Sequence, residues 1–497
     1  MKRRDLLKLG GALAVAAAPV GEALARPPTP SSAASTAPAL EVAPGTPADY
    51  VLHIAPGTVE LSKEVIVSTT LYNGQFPGPL MRFREGHRAV VDIHNDTDSA
   101  EQVHWHGQYL PDSVDGAAEE RTPYIQPHNK RREVFMPHPT GLRFYHTHVR
   151  AGQDLSRGLY AGLAGPVYIE PKHEPGDYDQ EVFLTLKEFE PYFTHVDMDP
   201  PYLQPAVMEP ALIDIAAHAD PHAGSMPPGF ELAYRSYGIN GKALGYGEPL
   251  RVKAGQRVML HVINASATEV RSLALPGHGF KVVALDGYAV PTQAEVPVLW
   301  IGTAERVSAI VEMQHPGVWV LGDLDDEARN GGMGVVVEYA GARGKPAWQK
   351  PAAFKWDYRR FAAPQRRVAT PDDTFNMLFT GRMSAVDGKF NEWFVNGVAY
   401  DHHTMPVTRH LRLGRRYRLR FGNASNDAHP LHLHRHGFEI TRIGGQPTSG
   451  VIKDVVMIAP FQTVEVDFTA NQPGLTLFHC HMQIHMDFGF MALFQTT

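Results

Sequence analysis

The chain predicts an all-β protein of three consecutive sandwich-sized units, and two observations carry that expectation. Beyond residue 46, short runs bearing Val, Ile, Leu and Phe alternate with Gly, Pro and Asn turns, with no long helical periodicity. The chain also matches itself at fixed offsets, which marks one supersecondary unit used three times. Asn73-Gly74, Asn240-Gly241 and Asn396-Gly397 each open a unit, and Gly86, Gly255 and Gly414 stand nine residues before Asn95, Asn264 and Asn423. Composition agrees: 497 residues, 43% hydrophobic and 20% charged, is ordinary globular material with ample length for a buried core. A formal charge of −7, with no Lys/Arg stripe interleaved with aromatics, argues against a nucleic-acid partner. The single cysteine excludes an internal disulfide, so its work must be catalytic or metal-binding.

Taken in order, residues 1–25 read as an export signal, with a basic start, an apolar run from Leu9 to Val20 and Ala23-Leu24-Ala25 as cleavage site. Arg3-Arg4 followed by Asp5-Leu6-Leu7-Lys8 resembles the twin-arginine type, so a periplasmic or secreted protein is expected. The apolar run is too short to span a membrane, and no later segment supplies a span. Residues 26–46, rich in Pro, Ala, Ser and Thr, read as a disordered tether. The units then occupy 47–172, 178–340 and 372–497, with a Pro- and Lys/Arg-bearing linker from Gly341 to Asp372 whose charge reads as solvated surface.

Nine and eleven residues beyond each repeated Asn stand His104 and His106, then Leu273 and Leu275, then His432 and His434. A second block, anchored on Gly141, Gly317 and Gly474, brings His146 and His148, then Gly322 and Leu324, then His479 and His481. Units one and three thus carry four paired histidines each, and unit two carries none, which makes it a spacer. A His-x-His pair in a strand puts both imidazoles on one face. Eight imidazoles from two units suit copper, which accepts nitrogen ligands in open geometries, whereas structural zinc wants four ligands and closure.

Strand parity gives unit three a second site. Cys480 lies between His479 and His481 and must point to the opposite face, and His429 precedes His432 by an odd step. With His485, five residues past the cysteine, these form the two-His, one-Cys set of a blue-copper centre. At the matching offsets unit one has Glu101, Thr147 and Gly152, and unit two Val270, Asp323 and Ala328, so only unit three can hold this copper.

His104-Trp105-His106-Gly107, His146-Thr147-His148, His429-Pro430-Leu431-His432-Leu433-His434 and His479-Cys480-His481 with His485 together resemble the four copper motifs of three-domain multicopper oxidases of the laccase-like group. The resemblance runs from about residue 50 to the C-terminus. It implies three cupredoxin-like Greek-key domains and four copper ions: one type 1, one type 2 and a type 3 pair. It also implies the type 2 ion on His104 and His432, the type 3 pair on His106, His146, His148, His434, His479 and His481, and the type 1 ion on His429, Cys480 and His485. A small-molecule reductant would give up electrons singly at type 1 copper, and dioxygen would become two waters at the cluster. Phenols and aromatic amines lead as substrates; a cuprous-ion oxidase and a copper-binding protein without turnover are the alternatives.

Asp115, nine residues past His106, resembles the acid that supplies protons to the cluster in bacterial relatives. Where some relatives place a Glu directly after the second type 1 histidine this chain has Met486, with Asp487 next, which leaves a second proton route open. Ten residues past Cys480, at the family's axial position, stands Phe490, which has no donor atom and predicts a high-potential centre. The repeat sets Gly489-Phe490-Met491 over Gly331-Gly332-Met333, which makes Met491 a core residue. Glu190 to Phe230, with His195, Met198, Met208, His218, His222 and Met226, reads as a loop near the substrate entrance.

Overall fold

The computed structural model describes residues 40, 42–196, 229–363, 366–382 and 390–497. Residues 1–39, with the expected export signal and most of the tether, lie outside these, as do 197–228. Among the described residues no helix is long and apolar enough to cross a membrane.

Three pairs of sheets follow one another along the chain, each with the same strand order. In the first pair, one sheet runs Ile66–Tyr72, Tyr50–Glu60, Ala89–Asn95, Lys130–Phe135, and the other Met81–Arg84, Ala164–Glu170, Gly141–His146, His104–His106. The second and third pairs repeat this order strand for strand and extend it at the far edge. Even the parallel pairing recurs: Tyr50–Glu60 with Ala89–Asn95, Gln180–Val196 with Arg257–Asn264, Asp373–Arg382 with Arg416–Asn423. Apolar residues from both sheets meet between them, as Leu52 and Ile54 meet Phe83 and Val167 in the first pair.

The residues that betray the repeat are those its turns demand. Asn73, Asn240 and Asn396 have φ of 51°, 52° and 52°, each followed by a Gly at positive φ, the type I′ hairpin geometry that favours Asn-Gly. Each Asn then stitches the turn to an earlier strand of the same sheet: Asn73 Nδ2 donates to Val51 O, Asn240 Nδ2 to Phe183 O and Asn396 Nδ2 to Asn376 O. Asn95, Asn264 and Asn423 are fully buried, and each donates Nδ2 to two main-chain carbonyls at its strand's end. A buried loop needs its backbone groups satisfied, and an amide side chain does this without added charge.

The linker keeps its described Lys and Arg side chains exposed while its backbone docks: Ala347 exchanges backbone hydrogen bonds with Val318 and Val320, and Tyr358 and Phe361 of its short helical turn are buried. Two expectations need correction. The segment 190–230 is not all loop, because strands run to Val196 and restart at Gly229; of its His and Met residues only His195 falls in a described strand, and the others lie outside the described residues. The repeat register after Cys480 shifts by one. Phe490 N donates to His485 O and its carbonyl accepts from Cys480 N, as Met333 does with Ala328 O and Asp323 N, so Phe490 matches Met333 rather than Gly332.

Candidate metal centres

The paired histidines sit on the strands that face each other across the first and third sandwiches. In the first, His104–His106 pairs antiparallel with Gly141–His146, placing His104 opposite His146 and Trp105 opposite Tyr145. In the third, His432 lies opposite His479 and Leu431 opposite Cys480. Opposite residues share a face, so the histidines turn toward the inter-sandwich seam while Trp105 and Cys480 turn into their own cores. Trp105 anchors there by donating Nε1 to Glu133, 2.6 Å away.

Eight imidazoles converge in this seam, none more than 5% exposed. His148, His434 and His479 place ligand atoms within 4.8 Å of one another, as do His104, His106 and His146, and His104, His432 and His434. His481 Nε2 lies 3.4 Å from His146 Nε2, and His434 Nε2 lies 3.0 Å from His479 Nε2. Burial drives their pKa values down, to about 4 for His104 and about 3 for His479, and mutual repulsion adds to it. The rings are therefore neutral, the form in which imidazole binds metal. Several ring nitrogens have no protein partner despite complete burial: His104 Nε2, His432 Nε2, His481 Nδ1 and both nitrogens of His148. Buried polar atoms without partners are costly, and this set is the donor array a metal cluster would satisfy.

The second cluster lies in the core of the third sandwich. Cys480 Sγ is 3.3 Å from His485 Nδ1 and 3.7 Å from His429 Nδ1, and the two Nδ1 atoms are 3.1 Å apart. Ser425 Oγ sits 2.8 Å from His429 Nε2, which leaves Nδ1 turned to the sulfur. Burial pushes the Cys480 thiol up, so a cation is needed to hold it as thiolate. The strand ends at Cys480 and the short helix Gln483–Asp487 carries His485 back over it. Phe490 packs its ring 4.9 Å from that of His429, in the same apolar cluster as Cys480. Met491 lies opposite His479 and belongs to a separate cluster with Leu475, Leu477 and Met486.

The matching places in the other sandwiches are plugged. Thr147 Oγ1 donates to Glu101 at 3.0 Å in the first, and in the second Asp323 accepts from Ser272 Oγ at 2.8 Å.

Carboxylates surround the seam. Gly116 has φ of 103° and no room for a Cβ, which would fall 2.0 Å from Val103 O; only glycine lets this turn press against the His104 strand. Asp115 is thereby held with its carbonyl 2.7 Å from His104 Nδ1 and its Oδ2 2.8 Å from His434 Nδ1. Burial raises its pKa to about 7, and burial together with Asp115 raises that of Glu120 beside it. Glu120 escaped the sequence reading because its position matches no motif; two adjacent acids in a short turn look like surface. Asp487 is buried, accepts from Ala151 N and Gly152 N, and has a pKa raised by burial to about 6.

The middle sandwich is more than a spacer. Asp454, in the third sandwich, lies 3.1 Å from His106 Nε2 and is chelated by both terminal nitrogens of Arg306 from the middle sandwich, each at 2.6 Å. Asp286, also from the middle sandwich, accepts from the backbone N–H groups of Asp454 and Val455.

A cavity of about 310 Å³ opens against His485, which is 6% exposed while His429 and Cys480 are fully enclosed. Phe230, Leu232, Val270, Trp393, Met482 and Ile484 supply its apolar walls, and Glu231, Glu269 and Asp427 its carboxyl groups. Burial raises the pKa of Glu269 to about 7 and that of Asp427 to about 6.

Comparison with known proteins gives the chain's family. Three multicopper oxidase family profiles match residues 53–174, 216–337 and 374–497. The chain is 31% identical to multicopper oxidase MmcO of Mycobacterium tuberculosis over 97% of its own length and 94% of that protein. It is 30% identical to copper resistance protein A of Pseudomonas syringae pv. tomato, over 57% of this chain and 48% of the other. A multi-copper oxidase crystal structure from Pseudomonas thermotolerans superposes with a TM-score of 0.66 at 24% identity, covering 91% of this chain and all of that one. The sandwiches, each cupredoxin-like, and the near full-length match to MmcO place this chain in the multicopper oxidase family.

Proposed function

We propose that this protein oxidises phenols or aromatic amines and reduces dioxygen to two waters, using four copper ions. His429, Cys480 and His485 would hold the type 1 ion, with Phe490, which has no donor atom, packed beside them as a non-ligand. His104 and His432 would hold the type 2 ion. His148, His434 and His479 would hold one type 3 ion and His106, His146 and His481 the other, each trio drawn from both sandwiches. The fit rests on the unpartnered buried nitrogens and on a Cys/His₂ set in an apolar core. Bound copper supplies one-electron redox chemistry that the side chains lack.

The chain's own residues do the rest. His485 forms the only part of the type 1 set that meets the cavity, so a reductant's ring contacts its edge. Cys480 is joined through the main chain to His479 and His481, so the two centres are covalently linked. Asp115 accepts from His434 Nδ1–H on Oδ2, which leaves Oδ1 to hold a proton beside the cluster and give it up as oxygen is reduced.

The observation that carries the substrate class is the cavity itself. Its aromatic and apolar walls accept a ring, and its carboxylates can accept the proton a phenol or aniline loses on oxidation. The same three carboxyl groups favour a second reading, a cuprous-ion oxidase, to which the name of the P. syringae relative also inclines. We place the protein in the periplasm or outside the cell, from the signal expected over residues 1–25. Oxygen uptake with a substituted phenol, run beside cuprous ion, tests the reading. A higher kcat/KM for the phenol supports it. A higher value for cuprous ion favours the second reading, and uptake with neither makes the protein a copper binder without turnover.

A further inference from the structure

Asp115 and Asp454 occupy reciprocal places around the seam. Asp115, in the first sandwich, takes Nδ1 of its own His104 on its carbonyl and Nδ1 of His434, from the third, on its carboxylate. Asp454, in the third sandwich, takes Nδ1 of its own His432 on its carbonyl, at 2.8 Å, and Nε2 of His106, from the first, on its carboxylate. The rings stack in the same pattern: His104 on His434 with centroids 4.1 Å apart, and His106 on His432 at 3.8 Å.

Their surroundings differ in charge. Beside Asp115 stands Glu120, and the nearby cation Arg435 spends its donors on the main-chain carbonyls of Leu110, Leu475 and Pro473 rather than chelating either acid. Asp454 is held by the fork of Arg306 and by Arg143 Nη1 at 3.2 Å, all three groups fully buried. Arg306 is itself fixed by donating to Ala304 O and Asp286 O, and Arg143 also donates to Asp286 O. Lys453 Nζ, 2.9 Å from Asp286 and 3.0 Å from Glu305, completes a dry array of three cations and three anions in which every acid has a basic partner. Arg306, Asp286 and Glu305 come from the middle sandwich, which offers no histidine to the cluster.

We propose that Asp454 is a positioning residue for the trinuclear centre and that Arg306 is the clamp that holds it, so that the middle sandwich shapes a metal site to which it gives no ligand. By accepting from His106 Nε2–H, Asp454 fixes that ring in the tautomer that leaves Nδ1, 3.3 Å from His146 Nε2, free for metal. By accepting from His432 Nδ1–H on its carbonyl, it leaves the unpartnered Nε2 of His432 free. One residue thus selects opposite nitrogens on two adjacent rings, and outer partners of this kind orient metal-bound imidazoles. An amide cannot replace it, because the oxygen facing one Arg306 nitrogen would become an NH₂ group pointed at a donor.

This inference rests on the copper reading above, and its test separates the two. Asp454→Asn, Arg306→Lys and, as a comparator, Arg271→Lys would be purified as copper-loaded full-length protein and titrated with EDTA, following copper per chain and the blue absorption together. Arg271 is also buried and ion-paired in the middle sandwich, but its partners are Glu188 and Ser266. We expect the first two variants to keep the blue band and to surrender the other copper at roughly 10- to 100-fold lower chelator concentration than wild type, with Arg271→Lys unchanged. Copper retention equal to wild type in both would overturn the proposal. So would loss of blue and non-blue copper in step in both, since that is the signature of a merely structural ion pair. A wild type that holds no copper beyond the blue centre would instead overturn the reading beneath it.

Discussion

Glu269 gives the cavity a proton acceptor whose effect can be worked from its surroundings. Burial raises its pKa to about 7 against the pull of nearby Arg271, with Glu188 and Glu231 adding to the rise. A raised carboxyl keeps its proton, so the accepting form is present above pH 7 and is lost as pH falls. About one-tenth is ionised at pH 6 and about nine-tenths at pH 8, so kcat/KM for a phenol should climb roughly tenfold across that interval. Glu269→Gln should flatten this limb and lower the value at pH 8 by about tenfold. Glu231→Gln should shift the limb to lower pH, because Glu231 raises the pKa of both Glu269 and Asp427. The assay is steady-state oxygen uptake from pH 5 to 9 with a phenol and, in parallel, with hexacyanoferrate(II), which gives an electron without a proton. An unchanged limb in Glu269→Gln, or the same limb with hexacyanoferrate(II), would refute the reasoning.

Three further outcomes are expected. Asp115→Asn keeps an oxygen for His434 but holds no acidic proton, so stopped-flow reoxidation should slow about a hundredfold while reduction by substrate is unaffected. Phe490→Met puts a weak thioether donor beside His429 and should lower the type 1 potential by about 60 mV or more, a tenfold change in a one-electron equilibrium; Met491→Leu, in the other cluster, should leave a redox titration unchanged. Glu101, whose pKa burial raises to about 7, binds a proton in the folded chain that the unfolded chain has already lost, so wild-type stability falls as pH rises from about 4.5 to 7. Glu101→Gln still accepts from Thr147 and escapes that loss, worth up to about 3 kcal/mol at pH 8. Its advantage in thermal midpoint should therefore grow with pH, and a constant advantage would contradict the assignment.

Much of this was legible because the features that recur along the chain are those the backbone demands. Asn at φ near 50° before Gly, and a buried Asn nine residues past a turn Gly, can be replaced by few residues, so three copies align without gaps. Side-chain alternation in strands then sorts His479 and His481 from Cys480 with no knowledge of the third dimension. What escaped depends on contacts between units. Asp454 and Arg306 are 148 positions apart in sequence, neither falls in a repeated block, and a charged residue at or between strand ends reads as exposed until a partner is seen. Phe490 could be placed by counting from Cys480, but aligning on glycines slipped by one, because Gly331-Gly332 and Gly489 differ in number.

The central claim is that two centres lie in one chain, one of them built on Cys480. Elemental copper analysis and the visible spectrum of wild type and Cys480→Ser test it most directly. The account predicts four copper ions per chain and an intense blue colour in the wild type, and in the variant no blue colour with three ions retained. A single copper ion in the wild type, or a variant that stays blue, would contradict it.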